Sequence, residues 1–138
     1  MKTLLTAYRV RDLVRSLDFY QRVGFREIGR AEIGAGVTLV MLNLPGDDDV
    51  VTLELAHDSG MDSLEVGNGF SHIAVKVDSL ASTLSRLAEE GVSFDEPQLH
   101  GGDAGTKTSF LHDPNGYRIE LVEWPPGHPD EMTRADFV

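Results

Sequence analysis

The chain has 138 residues, 41% of them hydrophobic and 25% charged, and its formal net charge at pH 7 is −11. That length suits one globular domain, and so acidic a surface repels phosphate backbones, which argues against a nucleic-acid partner. The apolar runs are only strand-length, so no membrane span is expected. The absence of cysteine excludes disulfides and thiolate metal sites and fits a cytoplasmic protein.

An alternating run from Thr3 to Val10 predicts a first strand. Asp12 then offers an N-cap, Leu13, Leu17 and Tyr20 recur at helical spacing, and Gly24 offers a stop. Three strand-like runs follow, Phe25 to Ile33, Val37 to Leu44 and Val50 to His57, with GDDD at 46–49 as turn chemistry between the last two. Asp58 to Gly69 is polar and glycine-containing and reads as a linker. The order then begins again. Ser71 to Val77 predicts a strand, Ser79 caps a helix carrying Leu80, Leu84 and Leu87, and Gly91 ends it. Val92 to Gln98, Thr106 to His112 and Tyr117 to Trp124 read as strands, the last two joined by DPNG at 113–116. Pro125 to Val138 is a polar tail.

One displacement brings Leu13 onto Leu80, Leu17 onto Leu84 and Gly24 onto Gly91. The chain therefore divides into a first βαβββ module (1–57), a linker (58–69), a second βαβββ module (70–124) and a tail (125–138). The expected class is α+β: paired βαβββ modules forming a curved mixed sheet around a cleft, with the helices outside. Chemistry is then expected on the sheet face away from the helices.

Strand alternation puts Thr52, Glu54, Ala56 and Asp58 on one face, and Arg118, Glu120, Val122 and Trp124 on another. Glu54 and Glu120 fall one residue short of the helix displacement, as a single-residue indel gives. Both interrupt apolar contexts, TLEL and RIEL, where a carboxylate is costly unless paired or metal-bound. His72, in the opening strand of the second module, adds a nitrogen donor, and one histidine with two carboxylates suits a hard or borderline divalent ion. The same displacement carries His72 back to position 5, where a fourth ligand is expected. Leu5 stands there instead, although Arg9 still falls opposite Lys76. His57, one residue out of phase with Glu54, and His112, before a turn, are expected in solvent. His100, in HGGDAG, reads as part of a flexible connection, and Phe19 and Tyr20 as core.

YRVRDLVRSLDFYQRVGF, the LEL strand, GFSHIAVKVD and LHDPNGYRIELVE, in that order, resemble glyoxalase I (lactoylglutathione lyase) of the vicinal-oxygen-chelate superfamily over roughly residues 1 to 124. The resemblance implies a homodimer acting on a small molecule. It implies one divalent ion per site (nickel, zinc, cobalt or manganese) held at the positions of Leu5, Glu54, His72 and Glu120. It places Arg9 on a carboxylate of glutathione, and Asp58 where an asparagine helps hold the same cosubstrate. An acid there repels a carboxylate, which sets this chain apart. The implied reaction converts the hemithioacetal of methylglyoxal and a thiol to a 2-hydroxyacyl thioester, a carbon–sulfur lyase activity, with Glu120 as base and Glu54 facing it across the metal. The alternative is a binding protein of the bleomycin-resistance type, with Phe70, Phe110 and Trp124 as candidate cleft aromatics. An oxygenase of the same superfamily, which needs two histidines and one carboxylate, fits least.

Overall fold

The computed structural model describes residues 1–137. Its elements are β1 (Thr6–Arg9), α1 (Leu13–Val23), β2 (Arg26–Ile33), β3 (Val37–Asn43), β4 (Leu53–Asp58), β5 (Ile73–Lys76), α2 (Leu80–Glu89), β6 (Gln98–His100), β7 (Thr106–His112) and β8 (Arg118–Glu123). Short 3-10 turns occupy Pro45–Asp47 and Arg134–Phe137. The fold is α+β, with two mixed four-stranded sheets ordered β1-β4-β3-β2 and β5-β8-β7-β6. In each, the opening strand runs parallel to the closing one and the remaining pairs are antiparallel.

The chain forms two compact units. The first comprises Met1–Phe70 with the turn Asp113–Tyr117, and the second Ser71–His112 with the chain from Arg118 onward.

Both helices begin and end as the sequence predicts. Asp12 has extended backbone and its Oδ1 accepts the Arg15 N–H at 3.0 Å, so an otherwise orphaned amide is satisfied. At the other end Gly24 takes φ 129°, a value costly for any residue with a Cβ, and donates its N–H to the Tyr20 carbonyl. Ser79 caps α2 through the Ser82 N–H, and Gly91 follows its last turn. The apolar stripes become core: Leu17, Tyr20 and Val23 are buried in the first unit, Leu80, Leu84 and Leu87 in the second. Along β4, Leu53 and Leu55 are buried, and along β8, Ile119 and Leu121.

Strand bounds differ where hydrogen bonds already belong to turns. β4 begins at Leu53 rather than Val50, because the Val50 N–H closes a turn onto the Asp47 carbonyl. The larger correction is the run Val92–Gln98. Only Phe94 pairs there, in a single bridge to Leu111, and the strand forms at Gln98–His100. Val92 donates its N–H back to the Leu87 carbonyl, finishing the helix, and Pro97 has no N–H to give a ladder.

Candidate active site

In the second unit, Glu120 is the third residue of β8. Its register partners are Ala74 on β5 and Phe110 on β7. Its neighbours Ile119 and Leu121 are buried, so its side chain leaves by the other face and is half-buried there. His72 stands immediately before β5. Its Nε2 lies 3.2 Å from Glu120 Oε2, its Nδ1 lies 2.7 Å from Ser71 Oγ, and its ring meets Phe110 edge-on at 5.5 Å between centroids. The imidazole is thus held on three sides. A ring with one nitrogen engaged by a hydroxyl and the other turned to a carboxylate has the arrangement in which the second nitrogen can serve as a metal ligand.

Two residues along the same strand face, Arg118 lies with its guanidinium 3.9 Å from the Phe110 ring centroid. Phe110 therefore contacts an imidazole and a guanidinium together. Neither Ser71 nor this stack was legible as a functional feature in the sequence. The available signals were the adjacency of Ser71 to His72 and the shared phase of Arg118 and Glu120.

In the first unit, Glu54 occupies the equivalent place on β4. It pairs in register with Ala7 and Met41, between the buried Leu53 and Leu55, and is half-buried. Leu5 stands immediately before β1, as His72 does before β5. Among the described residues of one chain, no three His, Cys, Asp or Glu side chains are grouped so as to hold a metal ion. The structure brings His72 and Glu120 together within the second unit, and Glu54 belongs to the first.

Arg9 ends β1. It is exposed, and its carbonyl accepts the Tyr117 hydroxyl at 2.8 Å. Asp58 ends β4. It is also exposed, and its Oδ1 accepts the Gly60 N–H at 2.9 Å, so the carboxylate is partly engaged by its own turn. His112 is exposed, with Nε2 3.1 Å from Asp95 Oδ2, whereas His57 is half-buried rather than free in solvent. His100 is not in a loose connection. It is the last residue of β6, with Nε2 3.1 Å from Thr108 Oγ1.

Of the aromatic candidates, Phe110 alone touches the pair. Phe70 packs on Tyr8 and Tyr117 in the first unit, and Trp124 stacks on His128. A cavity of about 260 Å³ in the second unit is lined by Leu80, Leu84, Pro97, Leu99, Lys107 and Glu123, and neither His72 nor Glu120 borders it.

The chain thus carries two βαβββ units, each with a glutamate at a matched place on its closing strand. A sequence profile of the Glyoxalase/Bleomycin resistance protein/Dioxygenase superfamily matches residues 3–121. A lactoylglutathione lyase of Neisseria meningitidis is 35% identical over 128 residues, covering 89% of this chain and 91% of its own. A probable lactoylglutathione lyase of Synechocystis is 34% identical over 128 residues, with 89% and 95% covered. Among solved structures, the trypanothione-dependent glyoxalase I of Leishmania major superposes with a TM-score of 0.71 at 29% identity, over 89% of this chain and 86% of that one. Glyoxalase I of Zea mays superposes with a TM-score of 0.76 at 26% identity over 88% of this chain, which spans only 46% of the maize chain. The chain belongs to the Glyoxalase/Bleomycin resistance protein/Dioxygenase superfamily.

Proposed function

We propose that this protein is a metal-dependent lyase converting the hemithioacetal of methylglyoxal and a thiol to a 2-hydroxyacyl thioester. The observation that carries the reading is the oriented pair of His72 and Glu120, with Nε2 and Oε2 converging at 3.2 Å while Ser71 holds Nδ1. The donor set fits a hard or borderline divalent ion such as nickel, zinc, cobalt or manganese: His72 Nε2 with the carboxylates of Glu120 and Glu54. Leu5 has no lone pair to give, and three protein donors leave a position open for substrate. In this reading Glu54 comes from a second copy of the chain in a twofold homodimer. Support comes from the resemblance to glyoxalase I, which implies a homodimer.

When bound, the ion would polarise the two adjacent oxygens of the hemithioacetal. Glu120 takes the proton from the carbon that bears sulfur and returns it to the neighbouring carbon. The hydroxyl proton on the first carbon's oxygen passes to the neighbouring oxygen, so the first carbon becomes the thioester carbonyl and the second a hydroxyl-bearing carbon, with no atom lost. Ser71 and Phe110 fix the imidazole plane, and Glu54 would complete the donor set opposite Glu120. Arg9 and Asp58 flank the thiol end. An arginine attracts a carboxylate there and an aspartate repels one, an unlike pair for a thiol that carries two carboxylates.

The test is Leu5→His, which offers a nitrogen where the repeat calls for one. Metal affinity is expected to rise roughly tenfold or more, and turnover with it. Glu120→Gln in the same background is expected to abolish the gain, since an amide is a very poor base. If Leu5→His binds metal tightly and no thiol adduct turns over, the lyase reading gives way to a small-molecule-binding protein of the same fold. If the unaltered chain already turns over at a rate Leu5→His leaves unchanged, the three-donor site is the working one.

A further inference from the structure

Three asparagines occur in the chain, Asn43, Asn68 and Asn115, and the last two each precede a glycine. An asparagine before glycine is chemically labile in water. The glycine nitrogen can attack the asparagine Cγ, because glycine has no Cβ to obstruct the approach. The N–Cγ bond forms, the Cγ–Nδ2 bond breaks, and the amide proton leaves with Nδ2 as ammonia. Water then opens the cyclic imide at either carbonyl, leaving aspartate or isoaspartate. Water is taken up and ammonia released, with no oxidant or reductant. The step needs a side chain free to turn onto its own main chain and a glycine N–H free to give up its proton. The two pairs differ on both counts.

Asn115 lies in the turn between β7 and β8, and both polar atoms of its carboxamide are fastened. Its Oδ1 accepts the Arg11 N–H at 3.0 Å, and its Nδ2 donates to Ser16 Oγ at 3.2 Å and to Asp113 Oδ2 at 3.3 Å. The nucleophile is engaged as well, since the Gly116 N–H donates to the Asp113 carbonyl at 3.0 Å. Cyclisation there must first break these bonds. Asn68 lies in the segment between β4 and β5. It is exposed, as are the glycines on either side of it. Among the described residues neither its side chain nor the Gly69 N–H has a hydrogen-bond partner, and no backbone hydrogen bond holds residues 62–69. Gly116 is exposed too, so solvent access does not separate the two pairs; the hydrogen bonds do.

We propose that Asn68 is a deamidation site of the folded protein, and that the fold withholds the same reaction from Asn115 until its turn opens. Opening a segment that has no hydrogen bonds of its own costs little, whereas the turn at Asn115 opens only with the Asp113 network of the first unit. The two products differ as well. A carboxylate at position 68 adds one charge to an exposed segment, and its isoaspartate form lengthens the main chain four positions before His72. A carboxylate at position 115 puts an oxygen where Nδ2 met Asp113 Oδ2, beside an acid only 5% exposed, so like charges oppose the docking of the turn.

The test holds the whole chain in mildly alkaline buffer, once folded and once in concentrated urea, and follows the mass gain of amide-to-acid exchange at each asparagine by peptide mapping. In the folded protein Asn68 should convert at least about tenfold faster than Asn115, and in urea the two rates should come within roughly threefold of each other. Gly69→Ala should slow Asn68 about tenfold in the folded protein, because a Cβ obstructs the attack. A Cβ at position 69 meets nothing within 4 Å, so the fold accommodates it. Asn68→Asp should leave Tm within about 2 °C of the unaltered chain, and Asn115→Asp should lower it by at least about 4 °C. An Asn115→Asp chain that does not fold meets the same expectation. Equal rates at Asn68 and Asn115 in the folded protein overturn the inference. So does a rate at Asn68 that rises about tenfold in urea, or an Asn115→Asp chain as stable as the unaltered one.

Discussion

Asp113→Ala strikes a buried carboxylate that is 5% exposed and accepts from four donors. Its Oδ1 takes the backbone N–H groups of Asn115 at 2.8 Å and Tyr117 at 2.9 Å, and its Oδ2 takes the Tyr20 hydroxyl at 2.9 Å and Asn115 Nδ2 at 3.3 Å. The Tyr20 hydroxyl in turn meets the Tyr8 hydroxyl. Burial, followed by the neighbouring Tyr8 and Asp113, pushes the Tyr20 pKa well above the ordinary phenol range, so Tyr20 remains a donor at any working pH. Alanine leaves two backbone amides and a phenol short of their acceptor. Each charge-assisted bond is worth about 1.5–3 kcal/mol, and entering water restores part of the loss, so the net cost should be about 3–4 kcal/mol. A domain of this size loses about 2–4 °C of Tm per kcal/mol, which gives a fall of roughly 6–16 °C. Tyr20→Phe removes only one of the four donors and should cost about 1–2 kcal/mol. Urea unfolding of both single variants and the double variant measures the costs and their coupling. A cost below about 1 kcal/mol for Asp113→Ala, or a larger one for Tyr20→Phe, would refute the assignment of this network as a principal support of the first unit.

The tail should respond to pH through His128. The Pro129 carbonyl and then the Asp136 carboxylate hold the His128 pKa above the ordinary histidine range, while the Thr133 N–H and then His128 hold Asp136 below the ordinary aspartate range. A raised histidine pKa gives a contribution present below the unfolded value and lost as pH rises through the folded one; the depressed aspartate gives one lost as pH falls through its folded value. The sole tryptophan, Trp124, stacks on His128 at 4.5 Å and should report the upper transition as a fluorescence change with a midpoint above about 6.5, absent in His128→Ala. An unchanged midpoint in that variant would assign the transition elsewhere. Sedimentation should give a species of twice the 15.1 kDa chain mass at micromolar concentration, and a monomer alone would contradict a site that takes Glu54 from a second copy.

Much of this protein is written in local sequence. Asp12 and Ser79 cap helices because their side chains reach amides only three residues away, and the leucine spacing on α1 and α2 follows from the helical period. The phase of Glu54 and Glu120 follows from the pleat, since Leu53, Leu55, Ile119 and Leu121 could not all be buried otherwise. What local pattern could not decide is whatever depends on a partner distant in sequence. The strand-like run after α2 gives up its strand because β7 takes Gln98–His100 as its neighbour and Val92 is spent closing the helix. Phe110, half-way along an ordinary strand, becomes the platform shared by His72 and Arg118 only when β5, β7 and β8 are assembled. Asp113 looks like any turn aspartate until Tyr20 donates to it across 93 positions of sequence. Alternation and capping are properties of a few consecutive residues, whereas stacking, ion pairing and buried hydrogen bonds exist only between surfaces that the tertiary fold has brought into contact.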